Sequence, residues 1–237
     1  MFEKKITILI VDDSEIIRYS LKNFFSVYNF EVISCMNGLE GIQKTQEHKP
    51  DLIFLDLCMP NFDGMKMLRF IKSIDNLKNI PIIIISGITT KTNVLSAFSA
   101  GANRVISKPL RKDIIIRTIK ELLGEDFLKI SGNKNSVEQE DQEFLQELHK
   151  IFLEDYPTKK EKILASLENK DVSTLSSIAH ELKGAGGSMG HQEISDICKD
   201  IEYSLKETSI NWDNVQAKCE EFFSAAEQIE VSKTLVE

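Results

Sequence analysis

Polar residues follow four short apolar runs in the first half of the sequence. Asp12 and Asp13 follow ILIV, Asp56 follows LIFL, Ser86 follows IIII, and Lys108 follows RVIS. Carboxylates gathered at one place repel each other unless a hard cation lies among them, and oxygen ligands of this kind suit Mg²⁺. A lysine beside them can pair with a carboxylate or with phosphoryl oxygens. Brought together, these residues would bind a magnesium ion and a phosphoryl group.

Each of these residues also has a simpler interpretation when it is taken alone. Asp12 and Asp13 could cap the helix that follows, Ser86 could merely end a strand, and Lys108 with Pro109 could form a surface turn. A site is favoured because every one of them comes at the end of an apolar run.

A second group of reactive residues lies in the stretch SSIAHELKGAGGSMG, residues 176–190. Several glycines fall within an otherwise good helical pattern, and each costs about 1 kcal/mol relative to alanine. His180, Lys183 and Gly184 share one helix face because they are spaced by three and four residues. An imidazole nucleophile, a cation and a position without bulk would together suit transfer of a phosphoryl group.

The glycine-rich stretch could also belong to a nucleotide-binding loop or serve a structural role. A P-loop is excluded because Lys183 precedes the glycines and no strand leads into them. The dinucleotide-binding fingerprint fails because Met189 stands where a glycine is required. A flexible helix end and close packing of two helices both remain possible.

The elements that must position the first group alternate strictly between strand and helix. Apolar runs predict five strands, at 6–11, 31–35, 52–57, 80–86 and 104–107. Amphipathic segments between them predict helices at 14–28, 38–48, 63–76, 90–100 and 112–123. This order predicts a doubly wound α/β fold with a five-stranded parallel sheet, in which ligands bind at the carboxyl ends of the strands.

The second half of the sequence reads as helices throughout, and a bundle of four or five is expected. The helical segments are 140–155, 158–169, 173–188, 192–207 and 213–231. The expected core positions are Phe152, Tyr156, Leu164, Leu167, Leu175, Ile178, Ile194, Ile197, Ile201, Phe222 and Phe223. We therefore predict one domain at 1–123, a polar linker at 124–137 and a helical domain at 138–237.

Charge supports this division and bears on the partners. Residues 1–123 hold 17 basic and 13 acidic residues, whereas residues 124–237 hold 12 basic and 24 acidic residues. The acidic second half would repel nucleic acid, so we expect no nucleic-acid partner. The first apolar run ends at two aspartates after six residues, too short for a membrane span or a signal peptide. Four scattered cysteines favour buried thiols, and we expect a cytoplasmic protein without membrane insertion.

The first half resembles the response regulator receiver family, with its flavodoxin-like fold, over about residues 4–123. The similar stretches are ILIVDDS, LIFLDLCMPNFDG, IIIISG and SAGANRVISKP. The resemblance implies that Asp56 accepts a phosphoryl group, and that Lys108 and Ser86 contact that group. It also implies Mg²⁺ as cofactor, held by Asp12, Asp13, Asp56 and the backbone carbonyl of Cys58.

Two positions depart from the pattern of the receiver family. Val105 stands where an aromatic residue is frequent, three positions before the lysine, and Gly87 stands where alanine is frequent. Without the aromatic side chain, that part of the family's conformational switch cannot operate in this chain.

The second half resembles the histidine phosphotransfer (HPt) module, a four-helix bundle, over about residues 138–231. The stretch AHELKGAGGSMG carries this resemblance. It implies that His180 is the phosphoacceptor, that Lys183 supports it electrostatically, and that Gly184 leaves room for an approaching partner.

Together the two resemblances predict a phosphorelay intermediate. We expect a phosphotransfer signalling protein rather than an enzyme, with a sensor histidine kinase or HPt protein as donor and a separate receiver as a possible acceptor. In an alternative hypothesis, the state of the receiver controls partner access to the helical domain without internal transfer. A third hypothesis, a hydrolase with an aspartate nucleophile, is weak because Cys58 stands where a general acid is needed.

Overall fold

The computed structural model describes residues 5–59, 64–87, 90–108, 110–124 and 137–234, with only the helical backbone described for 137–145 and 230–234. The chain forms two compact units, residues 1–136 and 137–237, and each is described by itself. Most of the predicted linker, residues 125–136, lies outside the described residues.

The first unit is built on a parallel sheet of five strands in the order β2-β1-β3-β4-β5. The strands are β1 (Ile6–Val11), β2 (Phe30–Cys35), β3 (Leu52–Asp56), β4 (Ile82–Ser86) and β5 (Arg104–Ser107). β3 and β4 are buried along their whole length, as continuous apolar runs predict for central parallel strands. The predicted α/β doubly wound fold is confirmed.

Helices cover both faces of this sheet. They are α1 (Glu15–Ser26), α2 (Gly38–His48), α3 (Gly64–Ser73), α4 (Lys91–Ser99) and α5 (Lys112–Leu123). Buried side chains of α1 and α5 pack on one face of the sheet with Phe54 and Ile85. Those of α3 and α4 pack on the other face with Leu55 and Ile84. Because adjacent strand residues point to opposite faces, each central strand serves both cores.

A glycine brings α3 close to the end of β3. A Cβ atom built on Gly64 would lie 2.0 Å from the backbone oxygen of Asp56, which no packing adjustment could accommodate. Gly64 therefore allows the first turn of α3 to approach the strand end that carries Asp56.

The second unit consists of four described helices, α6 (Val137–Glu168), α7 (Val172–Ser188), α8 (Gln192–Ser204) and α9 (Trp212–Thr234). This agrees with the predicted helical bundle. The separate helices predicted at 140–155 and 158–169 were wrong, because α6 runs through Pro157. A proline inside a helix loses one backbone hydrogen bond, but buried residues on either side of it, Tyr156 and Ile163, continue one apolar face.

Buried side chains from all four helices form the bundle core, and most of the predicted core positions are buried or half-buried. Leu164 was predicted wrongly, since half of its surface is exposed. Ile163 and Ser166 face the core instead, because the helical repeat continues from Tyr156 without a break at Pro157. Among the described residues, no helix combines the length and apolar character needed to cross a membrane.

Candidate phosphoryl-transfer sites

The carboxyl ends of β1, β3 and β5 bring together three acids and a lysine. Carboxylate oxygens of Asp12, Asp13 and Asp56 lie within 4.8 Å of one another. Lys108 Nζ lies 3.0 Å from Asp12 Oδ2 and 2.8 Å from Asp56 Oδ2. Both contacts are buried, so each side chain is held in place by charges of the opposite sign. The residues predicted from the ends of the apolar runs do meet.

Backbone groups fix the two buried carboxylates further. The amide of Cys58 donates to Asp56 Oδ1 over 3.1 Å, and the amide of Ser14 donates to Asp12 Oδ1 over 2.9 Å. Ser86 is buried at the end of β4, and its backbone oxygen accepts from the Lys108 amide over 2.9 Å. The hydroxyl-bearing residue and the lysine therefore lie at neighbouring strand ends.

Burial and crowding disturb the acid–base properties of this cluster. Burial raises the pKa of Asp12 to about 6, and the neighbouring Asp56 adds to the rise, while Lys108 partly opposes it. Burial would lower the pKa of Lys108, but the two carboxylates outweigh it and raise that pKa above its usual range. Lys108 therefore stays charged. Ionisation of Asp12 lowers the stability of the fold, and a further cation beside the carboxylate would reduce that loss.

The donor set suits the magnesium ion that the receiver family implies. Three carboxylates offer oxygen atoms within 4.8 Å of one another, and oxygen ligands of this kind are the ones Mg²⁺ prefers. Three carboxylates face Lys108, whose single positive charge alone does not neutralise the charge of the cluster. The acids of β1 and β3 would hold the ion, and Lys108 would remain beside Asp56.

In the helical unit, His180 and Lys183 lie on one face of α7 and meet a carboxylate of α8. His180 Nδ1 lies 2.7 Å from Glu202 Oε1, and Lys183 Nζ lies 2.5 Å from Glu202 Oε2. Lys183 Nζ is 3.4 Å from His180 Nδ1, and His180 Nε2 has no hydrogen-bond partner among the described residues. With Glu202 accepting from Nδ1–H, the lone pair of the ring lies on Nε2, an atom that is buried and makes no hydrogen bond to the described residues.

Glu202 was not predicted to be functional. Burial would raise its pKa, but hydrogen bonds from His180 and Lys183 outweigh burial and lower it, so Glu202 stays ionised. A signal existed in the sequence: Glu202 follows Cys198 by four residues and interrupts the buried face formed by Ile194, Cys198 and Leu205. A charged residue in such a position needs a partner.

Close helix packing accounts for one glycine of the run on α7. A Cβ atom on Gly186 would lie 2.9 Å from the Ser195 backbone nitrogen and 2.9 Å from Ile194 Cγ2, both on α8. The alternative of close packing therefore holds for Gly186. Gly184 lies one turn after His180 on the same helix, as its spacing predicted.

Two other histidines also meet in the helical unit. Nε2 of His149, on α6, lies 2.9 Å from Nε2 of His191, which precedes α8. At this distance one of the two nitrogens donates a hydrogen and the other accepts it, so both rings cannot be positively charged while the contact is kept. Burial lowers the pKa of His191, although Glu193 partly opposes the shift.

We expect the stability of the helical unit to fall as the pH drops below about 6.5, the ordinary pKa of histidine. The reason is that the folded state holds a proton on His191 less tightly than the unfolded state does. The single tryptophan, Trp212 on α9, reports urea unfolding of this unit. His191→Gln should flatten the pH dependence between pH 7.5 and 5.5, and the exposed His48→Gln should leave it unchanged. An equal slope in wild type and His191→Gln would contradict this assignment.

Comparison with known proteins agrees with both units. The receiver domain family of response regulators matches residues 8–120, and the Hpt domain family matches residues 147–230. The chemotaxis protein CheY of Bacillus subtilis is 37% identical over 118 residues, covering 49% of this chain and 97% of that protein. The polar-differentiation response regulator DivK of Brucella anthropi is 31% identical over 119 residues, covering 50% and 97%.

A solved structure is similar to the first unit alone. The signal receiver domain of a DNA-binding response regulator from Colwellia psychrerythraea is 28% identical, with a TM-score of 0.49, and covers 51% of this chain and 100% of that chain. From the family matches and the curated relatives, the chain belongs to the response regulator receiver family and carries a receiver domain and an Hpt domain in one polypeptide, as two-component signalling proteins do.

Proposed function

We propose that this protein is a phosphorelay intermediate that accepts a phosphoryl group on Asp56 and carries or exchanges one on His180. The observation that supports it best is the pairing of two complete acceptor arrangements in one chain. Asp56 lies in a buried acid cluster with Lys108, and His180 has its Nδ1 held by Glu202 and its Nε2 without a hydrogen bond to the described residues.

At Asp56, the reaction is a transfer between two nucleophiles. A carboxylate oxygen forms a bond to phosphorus while the bond from phosphorus to the donor imidazole nitrogen breaks, and that nitrogen keeps the electron pair. Transfer of this kind depends on positioning and on neutralising charge. When bound, Mg²⁺ supplies charge neutralisation for the phosphoryl oxygens. Lys108, 2.8 Å from Asp56 Oδ2, is close enough to move to a phosphoryl oxygen, and Ser86 lies at the adjacent strand end.

At His180, the lone pair of Nε2 attacks phosphorus while the bond to a donor carboxylate oxygen breaks. The developing positive charge on the imidazole is stabilised by Glu202, which accepts from Nδ1–H. Lys183, held beside the ring by Glu202, would neutralise the oxygens of the transferred group. Gly184, one turn along the same face, would leave room for a partner.

The partners of this function follow from its chemistry. A sensor histidine kinase or an HPt protein would load Asp56, and a separate receiver protein could exchange with His180. The protein itself would act in the cytoplasm as a signalling phosphotransfer protein rather than as a classical enzyme.

Small phosphodonors test the proposal directly. Labelled acetyl phosphate with Mg²⁺ is expected to load Asp56, and labelled phosphoramidate is expected to load His180. An acyl phosphate is lost in alkali, whereas phosphohistidine survives alkali and is lost in acid, so the lability identifies the site. Asp56→Asn should lose the alkali-labile label and His180→Gln the acid-labile one.

The wild type then distinguishes the two candidate functions. Label that enters at Asp56 and reappears on His180, or the reverse, supports a relay. If both residues are labelled but never exchange within one chain or between chains, the receiver instead gates partner access to the helical domain. If neither residue is labelled, the proposal is wrong.

A further inference from the structure

Arg18 lies on α1, close to the acid cluster, and contacts the turn that carries two of the acids. Its Nη1 donates to the backbone oxygen of Asp12 over 2.7 Å and to that of Asp13 over 2.8 Å. The two carbonyls are consecutive, so one guanidinium nitrogen fixes the orientation of two peptide units. These contacts lie within the receiver unit and involve neither Lys108 nor Asp56.

The orientation of these peptide units matters because a carbonyl oxygen is itself a ligand that Mg²⁺ accepts. Arg18 donates hydrogen bonds to the backbone oxygens of both Asp12 and Asp13, on the side of the turn that faces α1. The amide of Asp12 meanwhile donates to the Cys35 oxygen over 3.3 Å, and its Oδ1 accepts from the Ser14 amide. With its backbone groups held in this way, the turn presents carboxylates to the cluster instead of carbonyls.

We propose that Arg18 is a positioning residue for the acid cluster, and that its two carbonyl contacts set the affinity of the cluster for divalent cations. This inference rests on the proposed function only in assuming that Asp12, Asp13 and Asp56 take Mg²⁺. Arg18 contributes no ligand; it acts through the backbone of the two aspartates.

The charge of Arg18 acts in the opposite direction. A cation near a metal site repels the metal, so its removal alone would strengthen binding of Mg²⁺. Arg18 is half-buried, and a charge with that access to solvent is screened by water and salt, whereas two short hydrogen bonds from a charged donor are among the stronger contacts in proteins. We therefore expect loss of positioning to outweigh loss of charge.

The test is a titration of the full chain with MgCl₂, followed by the backbone amide signals of the receiver in nitrogen-15 NMR spectra. Arg18→Gln is expected to raise the Kd for Mg²⁺ about ten-fold, which corresponds to about 1.4 kcal/mol. Arg18→Lys keeps the charge, but its ammonium lies on a shorter side chain and reaches the two carbonyl oxygens less well, so its Kd should fall between those of Arg18→Gln and wild type. The same spectra show whether each variant is folded. If Arg18→Gln does not fold, Arg18→Lys is compared with wild type instead.

Arg104→Gln is the matched control. Arg104 also donates from Nη1 to a backbone oxygen, that of Asn103, and pairs with Glu121, but it lies at the amino end of β5, away from the cluster. The Kd of Arg104→Gln for Mg²⁺ should equal that of wild type.

Two results would overturn the inference. Arg18→Gln could bind Mg²⁺ as well as wild type or better, or Arg104→Gln could weaken Mg²⁺ binding as much as Arg18→Gln, so that the effect would not be specific to the two carbonyl contacts. Both leave the proposed function intact, because wild type would still bind Mg²⁺ and be labelled at Asp56. A wild-type chain that shows no Mg²⁺ binding would instead overturn both.

Discussion

Replacing Asp12 by asparagine is expected to stabilise the receiver unit at pH 7 in magnesium-free buffer. Burial raises the pKa of the Asp12 carboxyl from 3.8 to about 6, so this fully buried group ionises at the expense of folding. The difference between these two pKa values corresponds to roughly 3 kcal/mol in the free energy of unfolding. Asparagine keeps the shape of the side chain and its acceptor oxygen for the Ser14 amide, and it carries no charge. Its amide nitrogen replaces the oxygen that lies 3.0 Å from Lys108 Nζ, and this contact between two donors offsets part of the gain.

The pH dependence of the same experiment has a definite sign. Because the folded state holds the proton on Asp12 more tightly than the unfolded state, wild-type stability should fall as the pH rises from about 4 to about 6. Above that range this contribution should be constant. Asp12→Asn should remove this part of the dependence, so that the two proteins differ most at neutral pH.

Urea unfolding followed by circular dichroism measures both effects. Trp212 fluorescence identifies the transition of the helical unit, so the remaining transition belongs to the receiver. Asp51→Asn is the control. Asp51 Oδ2 accepts from the Thr7 amide over 2.9 Å at the amino ends of the strands, and removal of this carboxylate should not stabilise the receiver unit. Added MgCl₂ should stabilise wild type more than Asp12→Asn, since a ligand stabilises the form that binds it. A less stable Asp12→Asn protein would show that the contact with Lys108 outweighs the cost of burying the charge.

The receiver site could be predicted from sequence because a parallel sheet places all its carboxyl ends at one edge. Asp56, Ser86 and Lys108 each follow an apolar run, and the strand order alone brings them together. Arg18 escaped prediction because its contacts go to backbone oxygens, for which no residue type or spacing gives a signal. The raised pKa of Asp12 likewise depends on burial and distances that no pattern contains.

The helical unit was predicted less completely, and for a different reason. His180, Lys183 and Gly184 lie within one turn of one helix, so helical spacing sufficed to group them. Glu202 lies 22 residues further along, on another helix, and joins them only through the packing of α7 against α8. The break predicted between residues 155 and 158 does not occur, because the buried face of α6 continues past Pro157.

Replacing Glu202 by glutamine is expected to slow phosphorylation of His180 by phosphoramidate about 10- to 100-fold, the loss typical when the hydrogen-bond partner that orients a metal-ligating histidine is changed. Glu202 holds a proton on His180 Nδ1, stabilises the positive charge that develops on the ring, and anchors Lys183 over 2.5 Å. Glutamine has nearly the same shape but no charge, so all three effects weaken without a cavity forming.

The tautomer of His180 provides a readout that a purely structural role would not change. In wild type at pH 8, the nitrogen-15 shifts of the ring should show the proton on Nδ1, whereas Glu202→Gln should shift the population toward the Nε2 tautomer. Glu181→Gln is the matched control, because Glu181 follows His180 directly but pairs with Lys159 over 2.6 Å. It should change neither the tautomer nor the rate of labelling. If Glu202→Gln is labelled as fast as wild type with the proton still on Nδ1, the carboxylate of Glu202 only packs α7 against α8, and the reactivity of His180 belongs to the ring and Lys183 alone.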